Sequence, residues 1–271
     1  MMSIFTRTIF PEQPFFMFCS RLHQQRRQVN HPLISDYYDL ELADTQDQVI
    51  AIPDGCVDIL FECNTSQAHA WICGTTLSAK TVQLHAGVHY FGVRFHPGVI
   101  PQFQQLAAHE LLDQEYKLLD ILPQANVLIE QIIKNNHFEQ RIRCFEQFMN
   151  QHFMHALSDI SLAVLKCIYR STSQFKIKEL EQLTGYSSRH IQRTFKQDTG
   201  LCPKSFFNMM RFQSAIQRLQ HAPQHSLSDL AYDLGYNDQS HFSKDFKKYG
   251  NTSPHAFLNQ VHYYAGQILH C

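Results

Sequence analysis

Short apolar runs interrupted by Pro, Gly and Asp fill the chain from residue 1 to about residue 100. Such runs predict β-strands. The clearest are VIAIP (49–53), VDILF (57–61), AWICG (70–74), KTVQL (80–84) and YFGVRF (90–95). In the last run Phe91, Val93 and Phe95 alternate with other residues, so they occupy one face of a strand. The pattern therefore predicts a β-rich N-terminal unit.

From about residue 101 the apolar spacing becomes helical. Residues 127–153 repeat apolar side chains every three or four positions with almost no helix-breaking residue, which predicts an amphipathic helical segment. Its broad apolar stripe consists of Leu128, Ile132, Ile133, Phe138, Ile142, Phe145, Phe148 and Met149. Such a stripe either covers the core of its own domain or forms a dimer interface, and the sequence leaves both alternatives open.

An internal repeat lies in the C-terminal part of the chain. Residues 177–206 align with residues 227–257 at an offset of 50, which becomes 51 after one inserted residue. The aligned pairs include Gly185 with Gly235, Tyr186 with Tyr236, Phe195 with Phe246, Lys196 with Lys247 and Pro203 with Pro254. Because apolar positions, glycine and proline recur in the same order, the alignment predicts a duplicated structural unit.

Each copy of the repeat predicts two helices joined by a tight turn, at about 176–200 and 227–250. A glycine closes the first helix, and a polar residue before the second helix supplies its N-cap. Residues 204–220 have helical spacing and predict one continuous helix between the copies. This is the pattern of a helix-turn-helix, whose second helix enters the DNA major groove, although a plain helical hairpin shares it.

The charge is divided unevenly along the chain. The formal net charge is −1, but residues 1–169 hold 11 basic and 17 acidic side chains, whereas residues 170–271 hold 12 basic and 7 acidic ones. A basic C-terminal part favours a polyanionic partner.

The chain lacks the motifs of common enzyme and metal sites. It contains no His-x-His, G-x-S-x-G, HExxH or Gly-rich phosphate loop, so the sequence predicts no catalytic residue, metal or cofactor. Eight irregularly spaced cysteines without a CxxC favour reduced thiols over a disulfide framework. No window approaches about 18 uninterrupted apolar residues, and the start lacks the features of a signal peptide. These observations predict a cytoplasmic protein without a membrane partner.

Three stretches carry a resemblance to a known family: GYSSRHIQRTFKQDTG…P (185–203), RFQSAIQRL (211–219) and LAYDLGYNDQSHFSKDFKKYGNTSPHAF (230–257). Through them the segment from about 160 to 262 resembles the tandem helix-turn-helix module of AraC-type transcription regulators. Two positions depart from the family pattern: Glu181 replaces the usual alanine of the first copy, and Leu258 replaces a customary arginine. The resemblance implies a regulator, commonly an activator, that binds a promoter operator in double-stranded DNA and recruits RNA polymerase.

Helix geometry and this resemblance together predict the residues that contact DNA. The base-reading positions are Arg189, His190, Gln192 and Arg193 in the first copy, and Gln239, Ser240, His241, Ser243 and Lys244 in the second. Arg and Lys can pair with guanine, and Gln with adenine. Lys196, Lys247 and Lys248 are expected to contact phosphates, which position a protein without specifying sequence. The alternative is a set of solvated polar side chains on exposed helix faces.

The N-terminal part resembles an uncharacterised β-rich domain found in one branch of the same family, through IPDGCVDILF (52–61), GTTL (74–77) and residues 91–122. The resemblance implies a cupin-like or related barrel that senses an effector or forms a homodimer, without identifying a ligand. Asp54, Cys56, Asp58 and Arg94 are candidates for effector binding or for a structural turn. An Asp58–Arg94 ion pair is favoured over an anion bound at Arg94.

The sequence therefore predicts an α+β protein. A β-rich, barrel-like regulatory domain with following helices is expected at residues 1–155, and an all-α DNA-binding domain with tandem helix-turn-helix units at residues 156–271. Two alternatives remain. One is an oligomeric DNA-binding regulator without a small-molecule effector, and the other is a metal-dependent cupin-type enzyme fused to a DNA-binding domain.

Overall fold

The computed structural model describes residues 17–18, 22–42, 49–63, 69–101, 103, 106–152, 157–171, 175–221 and 226–259. Its strands are β1 (Met17–Phe18), β2 (Leu22–Gln28), β3 (Ile34–Leu42), β4 (Val49–Ala51), β5 (Asp58–Cys63), β6 (His69–Cys73), β7 (Lys80–Val82), β8 (His89–Phe95) and β9 (Glu115–Lys117). Within the described ranges they form two antiparallel sheets, ordered β1-β4-β7 and β2-β3-β8-β5-β6-β9. Each apolar run that predicted a strand overlaps one, so the β-rich N-terminal prediction is confirmed.

The six-stranded sheet buries one face under helices that follow it. Phe91, Val93 and Phe95 of β8 are fully buried in the same apolar cluster as α2 (Asn126–Lys134) and α3 (Phe138–His152). A short helix, α1 (Leu118–Ile121), precedes them.

The apolar stripe predicted at residues 127–153 belongs to this core. Its residues Leu128, Ile132, Phe138, Ile142, Phe145 and Met149 are buried in the cluster, while Ile133 and Phe148 are partly buried against it. The segment consists of two helices, α2 and α3, which are separated near residue 135. Because the sheet covers the stripe, the stripe is domain core, and its alternative as a dimer interface is wrong.

The sequence patterns missed several elements. They did not predict β2 and β3, and the stretch expected to be helical from about 101 contains a 3-10 turn at Ala108–Leu111 and the strand β9. The acidic residues of β3 concealed its apolar pattern. Asp36 and Asp39 are buried there because Arg26 and Arg141 pair with them at 2.7 and 3.2 Å.

The C-terminal part is helical. Its helices are α4 (Asp159–Arg170), α5 (Ile177–Thr184), α6 (Ser188–Thr199), α7 (Pro203–His221), α8 (Leu227–Asp233) and α9 (Gln239–Gly250), and residues 254–259 are also helical. The structure thus confirms the α+β class and the continuous helix between the two copies of the repeat. No helix among the described residues has the length and apolar character needed to span a bilayer.

The helical core extends into the β-rich part. Ile52 and Val99, from turns between strands, are buried in the same apolar cluster as the helices α4 to α9. The Gly98 N–H donates to the Gly55 carbonyl at 2.7 Å, which joins the two turns to each other. The turns therefore form a common apolar core with the C-terminal helices.

Candidate nucleic-acid interface

The first helix pair, α5 and α6, forms around a glycine turn. α5 ends at Gly185, whose φ of +74° is a left-handed conformation that glycine adopts without a Cβ penalty. The Ser187 side chain caps α6 by accepting a hydrogen bond from the His190 N–H. Ile191 and Phe195 are fully buried, so packing holds one face of α6 and leaves the opposite face to solvent.

The second pair, α8 and α9, repeats this arrangement. Gly235 lies after α8 with a φ of +74°, and the Asp238 carboxylate caps α9 by accepting from the His241 N–H at 2.7 Å. Phe242 and Phe246 are buried at the positions equivalent to Ile191 and Phe195. The duplication predicted from sequence is therefore a duplication of structure.

The residues predicted to contact DNA lie on the outward faces of α6 and α9. Arg189, Gln192, Arg193, Lys196, Gln239, Ser240, His241, Lys244, Lys247 and Lys248 are exposed, while His190 and Ser243 are half-buried. The structure brings each group together on one helix face, and contact with DNA stays a prediction.

The tyrosine after the turn glycine has a different place in each unit. Tyr186 is exposed, and its ring centroid lies 5.0 Å from the ring centroid of His190. The His190 Nδ1 atom lies 3.2 Å from Nη2 of Arg193. Tyr236 is buried, and the Arg211 guanidinium stacks on its ring at 3.7 Å. The first tyrosine thus extends the exposed row on α6, whereas the second belongs to the core.

The linking helix α7 is fixed to the second unit through Arg211. This residue is 9% exposed, and its guanidinium pairs with the Asp245 carboxylate of α9 at 3.1 Å. The Tyr236 hydroxyl donates to the same carboxylate at 2.9 Å. Because α7 is continuous and anchored at this buried ion pair, it holds α9 in a defined orientation.

Glu181, which departs from the family pattern, caps α6. Its carboxylate accepts a hydrogen bond from the Ser188 N–H at 2.5 Å. This bond lowers the pKa of Glu181. The first N–H groups of a helix lack partners within it, so a carboxylate there stabilises the helix start. Glu181 therefore joins α5 directly to α6.

The N-terminal part contacts the linking helix α7 and one helix of each helix pair. The Gln213 side chain of α7 donates to the Pro53 carbonyl at 2.6 Å. The Ala79 N–H donates to the Tyr249 carbonyl at the end of α9, also at 2.6 Å. At the end of α6, Gly200 packs closely against the backbone at Ala108, because a Cβ placed on Gly200 would lie 2.6 Å from the Ala108 carbonyl oxygen.

The candidate residues of the N-terminal part form one buried cluster. Asp54 accepts from the Cys56 N–H at 2.9 Å and pairs with the Arg94 guanidinium, which lies 3.5 Å from Asp58. These four residues line a cavity of about 80 Å³ between the two sheets. The Asp58–Arg94 pair favoured from sequence is present, and Asp54 is a second partner that sequence reasoning did not assign.

Burial governs the protonation of this cluster. It raises the pKa of Asp58 to about 6, and the neighbouring Asp54 raises it further while Arg94 opposes the shift. Burial also raises the pKa of Asp54 and of the Cys56 thiol. The cluster therefore contains carboxyl groups that hold protons more tightly in the folded chain than in the unfolded one.

The substitution Asp58→Asn is expected to change how stability depends on pH. A carboxyl pKa that rises on folding from 3.8 to about 6 contributes stability fully below pH 3.8, and this contribution is lost as pH rises through 6. The unfolding free energy of the wild type relative to the variant should therefore fall by up to about 3 kcal/mol between roughly pH 4 and pH 8. Urea denaturation across that range measures it. The control Asp120→Asn changes an exposed carboxylate, and equal pH profiles for both variants would contradict the expectation.

Sequence reasoning missed Glu181, Gln213 and the buried role of Arg211. A signal for Arg211 was present, because it falls between Phe207 and Ala215 on an otherwise apolar helix face. An arginine in such a position needs a buried partner. Within the described ranges, no group of three or more His, Cys, Asp or Glu side chains is placed to hold a metal ion.

Two family models match the chain. Residues 180–260 match a helix-turn-helix domain, and residues 30–117 match a domain of unknown function, DUF6597. An uncharacterised HTH-type transcriptional regulator of Haemophilus influenzae is 29% identical over 118 residues, which are 43% of this chain and 39% of the relative. The HTH-type transcriptional activator RhaS of Escherichia coli O157:H7 is 40% identical over 68 residues, or 25% of this chain and 24% of RhaS. The chain thus spans well under half the length of these curated relatives.

Solved structures also resemble parts of the chain. The C-terminal domain of AraT, a response regulator from Geobacillus stearothermophilus, has a TM-score of 0.37 at 23% identity, covering 39% of this chain and 88% of that domain. ToxT from Vibrio cholerae has a TM-score of 0.44 at 12% identity, covering 90% of this chain and 98% of ToxT.

The residues that build the two capped helix pairs are those that the helix-turn-helix model matches. The chain therefore carries an AraC-type helix-turn-helix domain at residues 180–260 and a DUF6597 domain at residues 30–117.

Proposed function

We propose that this chain is a sequence-specific DNA-binding transcription regulator that reads adjacent major-groove segments with α6 and α9. The observation that carries the proposal is the duplicated geometry of these helices. Each is capped at its start, buries an apolar face and presents a polar face to solvent, and α7 joins them without a break. A helix presented in this way fits the major groove of B-form DNA.

The exposed faces supply chemistry for reading bases. Arg189 and Arg193 on α6 and Lys244 on α9 can donate to guanine, and Gln192 and Gln239 can bond adenine bidentately. Lys196, Lys247 and Lys248 lie farther along the helices, where phosphates are the expected partners. By analogy with the related activator RhaS, we propose activation of a promoter through RNA polymerase as the outcome.

The N-terminal part is proposed to regulate DNA binding. We assign residues 1–155 to this regulatory domain and residues 156–271 to DNA binding. The Pro53–Gln213 and Ala79–Tyr249 contacts supply a route, because a change at either N-terminal turn reaches a helix that holds or forms a reading helix. A regulator of this kind acts in the cytoplasm and needs no catalytic residue.

A second candidate is an oligomeric regulator without a small-molecule effector. The cavity at Arg94 has a volume of about 80 Å³, whereas ligand pockets commonly measure about 300–1,000 Å³. A homodimer would use a surface other than the stripe on α2 and α3, since the sheet covers that stripe. Sedimentation velocity of the purified chain, with and without operator DNA, tests this candidate. An oligomeric regulator should show a sedimentation coefficient that rises with protein concentration.

The proposal predicts that Arg193→Ala weakens binding to the preferred operator by about 1–3 kcal/mol and relaxes specificity at one base position. Selection from a random duplex library defines that operator, and a titration measures the loss. Arg143→Ala removes the same charge from an exposed position on α3 and should leave affinity nearly unchanged. Equal affinities for wild type and Arg193→Ala would refute the role of Arg193. Failure of the wild type to enrich any motif would refute the function.

A further inference from the structure

A groove of about 360 Å³ lies between the linking helix and the second reading helix. Its walls come from residues just before α5, the N-terminal half of α7, the turn after α8 and the first turns of α9. Asn237 and His241 line it from the second unit, and Lys176 and Lys204 line it from the first unit and from the start of α7. The groove is therefore built by both helix-turn-helix units and by the helix between them.

The groove presents positive charge. Lys176 and Lys204 are exposed, and in the part of the chain that the structure describes neither forms an ion pair. The Lys204 ammonium lies over the Phe207 ring at 5.3 Å from its centroid. The carboxylate in the groove, Asp245, is already engaged by Arg211 and by the Tyr236 hydroxyl. An anion that entered the groove would therefore meet the ammonium groups of two lysines, and the lining carboxylate is already paired with other residues.

We propose that this groove receives the sugar–phosphate backbone of DNA between the two major-groove segments, with Lys176 and Lys204 contacting its phosphates. The inference rests on the proposed function. His241 belongs to the first turn of α9 and also lines the groove, so DNA read by that turn brings its backbone to the groove entrance. A continuous polyanion matches a groove that borders α9 on one side and carries Lys176 and Lys204 on the other.

This contact has a role distinct from base reading. Phosphate contacts carry no sequence information and instead fix register and orientation. A backbone held between the units couples them, because neither reading helix can then shift along its groove alone. The lysines are therefore positioning residues, and their loss weakens preferred and unrelated duplexes by the same factor.

The test uses the full chain and the operator obtained by selection. The variant Lys176→Ala/Lys204→Ala is compared with Lys117→Ala/Lys134→Ala, which removes two exposed lysines from the N-terminal part. Each lost phosphate contact should reduce the slope of log affinity against log salt concentration by about 0.9. At about 0.1 M salt this corresponds to a loss of affinity of roughly eightfold per contact. Phosphate ethylation interference on the wild type should mark positions between the half-sites, and the groove variant should lose those marks.

The outcomes separate this inference from the proposed function. An unchanged salt slope and unchanged interference in the groove variant, with the wild type still selective, overturn the groove contact alone. Equal losses in both double variants also overturn it, because they reflect overall charge rather than a local contact. A wild type without selective binding overturns the proposed function itself. Circular dichroism and urea denaturation of the variants establish that any loss of binding occurs in folded protein.

Discussion

Replacing Arg94 with methionine is expected to lower the free energy of unfolding by about 3–5 kcal/mol near neutral pH. Arg94 is 2% exposed, and its guanidinium pairs with both Asp54 and Asp58 beside the cavity between the sheets. Methionine keeps much of the side-chain volume but leaves two buried carboxyl groups without their cation. These groups must then take up protons or draw in water, and either change costs folding free energy. Urea denaturation followed by circular dichroism measures the loss.

Arg27→Met is the matched control for this substitution. Arg27 pairs with Glu139 across the surface, and both side chains are about half exposed, so its loss should cost at most about 1 kcal/mol. Adding Asp54→Asn and Asp58→Asn to Arg94→Met should restore much of the stability, since the uncompensated charges are then absent. Equal small losses for the Arg94 and Arg27 variants would show that the buried cluster is not an ionic anchor.

The substitution Gly55→Ala is expected to destabilise the protein by about 2–5 kcal/mol. Gly55 has a φ of +77°, where an L-residue costs about 1–2 kcal/mol. An added Cβ would also lie 2.8 Å from Cε2 of Phe206, which is fully buried, and such overpacking costs about 1–3 kcal/mol more. The loss arises where the N-terminal turn meets α7. Thermal and urea unfolding of the full chain measure it.

Gly87→Ala separates backbone strain from the contact. Gly87 has a φ of +74°, and a Cβ there would have no neighbour within 4 Å, so only the cost of about 1–2 kcal/mol applies. Phe206→Leu combined with Gly55→Ala should show a favourable coupling of about 1–3 kcal/mol in a double-mutant cycle. If Gly55→Ala and Gly87→Ala lose the same stability, the close packing of this turn on the linking helix is refuted.

The C-terminal helix pairs were predictable because their signals are local. A turn glycine, an N-cap such as Ser187 or Asp238, and apolar residues three or four positions apart all lie within one short segment. The repeat then showed the same signals twice. The pairing of Arg211 with Asp245 could not be predicted in this way, since Asp245 lies 34 positions away and the pairing depends on how α7 crosses α9.

The N-terminal part was predicted less completely because distant residues stabilise its polar strand positions. Asp39 in β3 is buried against Arg141 of α3, which is 102 positions away, and no local pattern indicates that partner. The same reason explains why Asp58 was assigned to Arg94 but Asp54 was not. Strand alternation suggested the first pairing, whereas the second depends on a turn that folds back over the sheet.

The unbroken α7 has a consequence for how target promoters can evolve. Its 19 residues span about 28 Å at 1.5 Å per residue, and a helix does not stretch to follow altered DNA. One inserted base pair moves the second half-site by about 3.4 Å and rotates it by about 34° around the duplex axis. For the regulator that we propose, a binding site can drift by substitution yet is destroyed by a single insertion or deletion between its halves. New members of its regulon should therefore arise by base changes in sequences that already have the correct helical phase.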